Sequence, residues 1–157
     1  MAIVVRGKTK CPICENVIVE GEEIIAFPAF VPNSLDPVAA FNDVAAHTRC
    51  VESDAVALHA RDRYEELLAR VGPGHRVCVV CGNEIGDPDE YFTLGFLTED
   101  EKSPLFRFNY TQLHRSCIAR WRDVLEVIQL LEECQASGLW GGSSLARLIE
   151  ELQAHAW

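Results

Sequence analysis

The chain has 157 residues, 48% of them hydrophobic, with 14 Lys+Arg against 24 Asp+Glu and a formal charge of −10. That length suits one average domain or two very small ones, the mixed composition excludes a disordered chain, and no run approaches the roughly 18 consecutive apolar residues of a membrane span. The opening Met1 to Lys8 has too short an apolar run for a secretory signal, so the expectation is a soluble, cytoplasmic protein with no membrane partner. A net negative charge repels phosphate backbones at the start of an encounter, which makes nucleic acid an unfavourable partner and a basic protein a favourable one.

In chain order, the first motif is Cys11-Pro12-Ile13-Cys14. Val17 to Phe27 then forms two β-prone runs about Gly21, the pattern of a hairpin. Pro28 to Pro37, with three prolines, reads as a loop, and Phe41 to Ala46 as an extended segment leading into His47-Thr48-Arg49-Cys50. Ala57, Ala60, Tyr64, Leu67, Leu68 and Val71 fall at helical spacing and end at Gly72-Pro73-Gly74. A second Cys-x-x-Cys comes next, Cys78 and Cys81, then a turn and an aromatic strand from Ile85 to Phe92. Thr98 to Pro104 reads as a loop, Phe108 to Leu113 as an extended segment, and His114-Arg115-Ser116-Cys117 closes the set. Ile118, Trp121, Val124, Leu125, Ile128 and Leu131 predict one continuous second helix. Gly138 to Gly142 breaks it, and Ser143 or Ser144 can cap a third helix carrying Leu145, Leu148, Ile149 and Leu152 on one amphipathic face.

The two motif sets share a single offset. In each, 32 residues separate the second Cys from the His, and sliding the chain by 67 superposes all four positions. The same shift matches Asn16 to Asn83, Ile18 to Ile85, Glu23 to Glu90, Pro37 to Pro104, Phe41 to Phe108 and Asn42 to Asn109, ten identities over residues 11–50. An internal duplication is the expectation. Cys₃His is a common closed set for tetrahedral zinc; a two-residue spacer lets both thiolates of a tight turn face one ion, and a His and a Cys three apart share a face at a helix start. Disulfides fit poorly, because seven cysteines is odd and they fall in knuckle pairs. A redox Cys-x-x-Cys does not bring a distant His-x-x-Cys with it. A catalytic zinc keeps one position open, whereas each set here offers four ligands. Two structural zinc ions are expected.

Knuckle, hairpin and a helix whose start supplies the last two ligands resemble the treble-clef zinc fingers. The nearest patterns are LIM-type modules and the tandem fingers of poly(ADP-ribose) polymerase type, which look like Cys-x-x-Cys, some thirty residues, then His-x-x-Cys. The resemblance covers residues 11–72 and 78–135. It implies Cys11, Cys14, His47 and Cys50 on one zinc, and Cys78, Cys81, His114 and Cys117 on the other. The departure is electrostatic. Polymerase-type fingers grip DNA with basic residues, whereas residues 11–50 carry a net of −5 and residues 78–117 a net of −4. One exception is the cluster Arg107, Arg115, Arg120 and Arg122, which reads either as a solvated face or as an anion-binding patch.

Among the other reactive types, Cys134 lies outside both sets beside Leu130 and Leu131 and reads as a buried free thiol. His75 reads as linker, and His59 and His155 as surface residues. Trp140 suits a turn anchor or an exposed contact, and Trp157 is left open as docked or frayed. No nucleophile–base pair, phosphate loop or His-Glu-x-x-His helix is present, so no enzyme is expected. The expected architecture is α+β, with a first treble-clef unit over 1–72, a second over 73–157, and a C-terminal helix completing the core. The function favoured is a non-catalytic, zinc-stapled interaction protein for a basic partner, of which a bacterial immunity or inhibitor protein is one version. Its charge falls to about −12 once two zincs and their thiolates are counted. Nucleic-acid binding through Arg107–Arg122 is the alternative.

Overall fold

In a computed structural model of the chain, residues 3–156 are described; Trp157 lies outside them. The fold is α+β, with short helices and two separate two-stranded antiparallel sheets. The chain divides into two compact units, Met1–Glu66 and Leu67–Trp157.

In the first unit, the backbone turns back at Lys10, which bridges Val17, so that Cys11 and Cys14 sit on the intervening turn. The Cys11 N–H donates to the Asn16 carbonyl and the Glu15 N–H to the Cys11 carbonyl, both 2.9 Å. Strand β1 (Ile24–Ala26) pairs with β2 (Ala45–His47), Ile24 opposite His47. The hairpin expected within Val17–Phe27 therefore does not form. Gly21 does turn the chain, at a φ of 81°, but the second run finds its partner twenty residues downstream. Val17 and Val19 are left exposed while Ile18 is fully buried. The expected extended segment is also shorter than predicted: Phe41 ends a 3₁₀ stretch, Pro37–Phe41, and Asn42 and Asp43 turn the chain, with Asp43 at a φ of 55°, before the strand starts at Ala45.

Helix α1 (Thr48–Ser53) starts at the end of β2, and α2 (Ala55–Val71) begins after Asp54. The Asp54 carboxylate accepts from the Ala57 N–H at 2.9 Å and starts α2 without a linker. The core of this unit is aromatic. Phe27 is fully buried and packs at 5.8 Å against Phe30 and Phe41, with Tyr64 of α2 at 6.1 Å. Arg63, 5% exposed, turns inward and pairs with Asp36 at 2.5 Å.

The second unit repeats these pairings at an offset of 67. Val77 bridges Glu84, and β3 (Tyr91–Thr93) pairs with β4 (Gln112–His114), Tyr91 opposite His114. The 3₁₀ stretch Arg115–Arg120 stands where α1 stands in the first unit. The loop clamp recurs as well. Asn42 Oδ1 accepts from the N–H groups of Phe30 and Val31, and its amide donates to the Val31 carbonyl. Asn109 does the same for Leu97 and Thr98.

Past this point the units differ. Trp121 stands where Asp54 stood; it cannot cap, and it is buried against Phe108 at 5.8 Å. The backbone is extended there (φ −78°, ψ 116°) as it is at Asp54 (φ −113°, ψ 122°), but without an aspartate cap the next helix does not start at once. The predicted continuous helix is thus split, and α3 spans Val124–Ala136. Helix α4 (Ser144–His155) packs on α3 and on the 3₁₀ stretch, burying Leu145, Ile149 and Leu152. Ser143, at the N-cap, makes no capping bond through its side chain; Ser144 Oγ accepts from the Trp140 indole N–H at 3.0 Å, making Trp140 an anchor. His155 is half-buried, its Nδ1 bonded to the Glu151 carbonyl, so it is not the surface residue expected, whereas His59 on α2 and His75 are exposed.

The Arg63–Asp36 pair gives a stability test. Truncating a buried partner leaves the other charge uncompensated, typically at a cost of about 3–5 kcal/mol. Arg63→Ala is expected to lower the urea midpoint by that equivalent, with Asp36 losing its partner and the 3₁₀ turn its anchor.

Candidate metal centres

The structure brings together the eight residues that the spacing singled out, in two groups. Cys11, Cys14, His47 and Cys50 form one, and Cys78, Cys81, His114 and Cys117 the other; within each, the four ligand atoms lie within 4.8 Å of one another. Local structure explains the convergence. The knuckle turn aims two thiols to one side, the antiparallel ladder ends on the His, and the first turn after the strand returns the last Cys to the same face.

The distances fit a metal better than a thiol–imidazole hydrogen bond. His47 Nδ1 is 3.5 Å from Cys14 Sγ and 3.8 Å from Cys50 Sγ, and His114 Nδ1 is 3.4 Å from Cys81 Sγ. A tetrahedral ion with metal–sulfur bonds of about 2.3 Å and metal–nitrogen bonds of about 2.0 Å imposes sulfur–nitrogen edges of about 3.5 Å. Two Cys₃His clusters able to hold metal ions are therefore present, with Nδ1 as the imidazole ligand atom in each.

The chain also prepares the thiols. Burial opposes ionisation of Cys11, but the N–H groups of Cys14, His47 and Ile13 outweigh it and bring the thiol to about 6. Cys78 is likewise brought to about 6 by the N–H groups of Cys81, His114 and Val80 against the same burial. The last cysteine of each set goes the other way. Burial, then the neighbouring thiols, push Cys50 up to about 11; burial also raises Cys117, opposed by the Arg120 guanidinium, which donates to its sulfur at 3.0 Å. A cation at the cluster centre would reverse the penalty for those last thiolates.

One functional residue escaped the sequence reading. Glu22 accepts from His47 Nε2 at 2.9 Å, with Arg49 Nη2 3.4 Å from its other oxygen. The Val19 N–H bond to Glu22, then the bond from His47, overcomes partial burial and holds this carboxyl below its usual range. A carboxylate on the far nitrogen fixes the proton on Nε2 and leaves Nδ1 free to ligate. Nothing in the spacing marked Glu22 out from Glu20 and Glu23. In the second unit the aligned Asp89 offers only its carbonyl, to Arg115 Nε, and the neighbouring Glu90 binds the Ser116 N–H and hydroxyl. Among the described residues, no hydrogen bond reaches His114 Nε2.

The cationic cluster of the second unit is occupied locally. Arg107 pairs with Glu126 at 2.6 Å, Arg115 with Glu151, Arg122 with Asp123 at 3.4 Å, and Arg120 with the Cys117 sulfur. Cys134 stands apart from both clusters, half-buried against the core of the second unit, and burial raises its thiol.

No family model, curated protein or solved structure matches the chain. Metal content is the direct test of the two clusters. The intact protein is expected to carry two metal ions, and Cys11→Ser or Cys78→Ser one, by native mass spectrometry. Chelation should unfold at least the first unit, seen as lost ellipticity and a lower melting temperature.

Proposed function

We propose that both clusters hold zinc as closed structural sites, that residues 11–54 and 78–121 are two copies of one treble-clef module produced by internal duplication, and that the protein is a non-catalytic scaffold offering an acidic surface to a basic protein partner. Each cluster supplies four protein ligands of the soft and borderline kind that zinc prefers, which leaves no coordination position for water or substrate. Zinc bound in this way contributes on the order of 10 kcal/mol or more to folding. That is as large as the net stability of many domains. Duplication is supported by strand registers, bridges and asparagine clamps that all recur 67 residues apart.

The observation that carries the functional half is the state of the arginine cluster. Surface ion pairs hold little energy each, yet every one of these brings a carboxylate beside its guanidinium. A phosphate approaching Arg107, Arg115 or Arg122 meets Glu126, Glu151 or Asp123 as well. Combined with a formal charge of −10, this favours a basic protein over nucleic acid. A long-range field of that sign accelerates capture of a positively charged partner and fades with salt. A protein that masks the basic surface of a nucleic-acid-processing enzyme would have this character.

The test is capture from the native host's lysate on zinc-loaded protein, with and without nuclease. A basic protein is expected in both samples, released as salt rises. Its retention should fall at least about tenfold with Glu20→Lys plus Glu23→Lys, since opposite-charge steering becomes repulsion. Glu22 is kept intact, because it holds His47. Capture that disappears with nuclease would transfer the function to the arginine cluster.

A further inference from the structure

The two clusters share their ligands and their geometry but not their surroundings, and three differences run in the same direction. The first is access. Cys14 is half-buried, whereas its counterpart Cys81 is exposed. The second is the imidazole. His47 is 2% exposed and locked by Glu22, whereas His114 is half-buried and its Nε2 has no hydrogen-bond partner among the described residues. The third is the packing that would remain without the ion. Around the second cluster, Leu113, Ile118, Val127, Leu131, Leu145 and Leu152 are all fully buried in one apolar core fed by α3 and α4. The first unit ends in the single helix α2 and fills its centre with Phe27 and the aromatic side chains around it.

We propose that the first cluster is a permanent clamp, whereas the second is an exchangeable zinc site that opens at Cys81, gives up its ion to thiol-directed electrophiles and soft-metal competitors, and leaves its unit folded. The proposal rests on the zinc reading of both clusters. A bound thiolate reacts in proportion to its charge and access. Cys78 and Cys117 are buried, and Cys117 also shares its charge with Arg120. Cys81 is the sulfur left open. At the first cluster the Glu22 carboxylate keeps the imidazole aimed and raises its basicity; outer partners of this kind typically change metal affinity by about 10–100-fold. Release there also removes the tie between the knuckle and a three-residue ladder, so opening and unfolding are linked. In the second unit the helical pair supplies a core that does not pass through the ion.

Iodoacetamide is a suitable probe. The Cys81 sulfur attacks its methylene carbon, the C–I bond breaks, iodide leaves with the bonding pair, and the resulting neutral thioether no longer holds its corner of the tetrahedron. The experiment uses the full chain with two zinc ions bound and Cys134→Ala, so that only ligand thiols can be labelled. Limiting iodoacetamide is added with a chromogenic zinc chelator present. Zinc count by native mass spectrometry, label position by peptide mapping and helicity by far-ultraviolet circular dichroism are tracked together. One zinc is expected to leave at least about tenfold before the other, with the first label on Cys81 and helicity retained. Glu22→Gln should speed release from the first site about 10–100-fold, while Asp89→Asn, at the aligned position, leaves the second unchanged. Simultaneous loss of both ions, a first label in the first unit, loss of helicity with the first ion, or equal response to the two substitutions would each overturn the proposal. A protein that binds no zinc at the outset would instead overturn the zinc reading on which it stands.

Discussion

The meeting of His47 with Cys11, Cys14 and Cys50 ties a turn near the start of the chain to a strand end 33 residues later, and His114 repeats the connection in the second unit. The sheets cannot make that connection alone. Each is two strands of three residues, too little to be stable by itself in water. Register and the meeting of the four side chains are therefore mutually dependent. With Ile24 opposite His47 and Tyr91 opposite His114, the imidazole faces the knuckle; a slip of one residue would send it to the other side of the ladder. The knuckle bridges, the left-handed backbone after the second cysteine and the clamped loop all serve to present four atoms at one point.

The eight clustered Cys and His residues were legible because their chemistry is concentrated in few residue types and their spacing repeats. Fold class and the approximate helices α2 and α4 were legible from composition and periodicity. Other features were not, for identifiable reasons. The run Val17–Phe27 looks like a hairpin because Gly21 and the flanking β-formers satisfy every local criterion, and local criteria do not name a distant partner. Ile24–Ala26 has more to gain from Ala45–His47, a strand buried along its whole length. The apolar period from Ile118 to Leu131 runs straight through Trp121, so it hides a break in the backbone that the first unit also has, at Asp54. Asn42 and Asn109 were visible as a matched pair, yet their clamp depends on loop N–H groups that no pattern reveals. Glu22 was one acid among three neighbours, and only the fold selects it.

Charge and fold act at different ranges in this protein. Close to the clusters, single groups decide: a carboxylate on one imidazole, a guanidinium on one thiolate, N–H groups on the first cysteine of each knuckle. Farther out, the individual pairs are weak and the sum of acidic groups dominates the field that approaching molecules experience. The arginines near the second cluster follow the same division, each meeting a local partner, a carboxylate for Arg107, Arg115 and Arg122 and the Cys117 sulfur for Arg120.

The feature-for-feature match between the units stops abruptly, at Asp54 in one and Trp121 in the other. Up to there even strained positions coincide: Glu15 and Gly82 both hold positive φ, 60° and 73°, as do Asp43 and Tyr110, 55° and 60°. Beyond it one unit carries a capped seventeen-residue helix and the other a kink, two helices and a glycine-rich turn. The two halves thus hold their geometry in common only within reach of the ligands. Past the turn that carries the last cysteine the two segments differ in length and sequence, yet each packs back on its own unit, Tyr64 against Phe27 in one and α4 on the 3₁₀ stretch in the other. A new segment grafted just past either junction would therefore have to supply its own returning contact, as Glu151 does for Arg115 and Arg63 for Asp36.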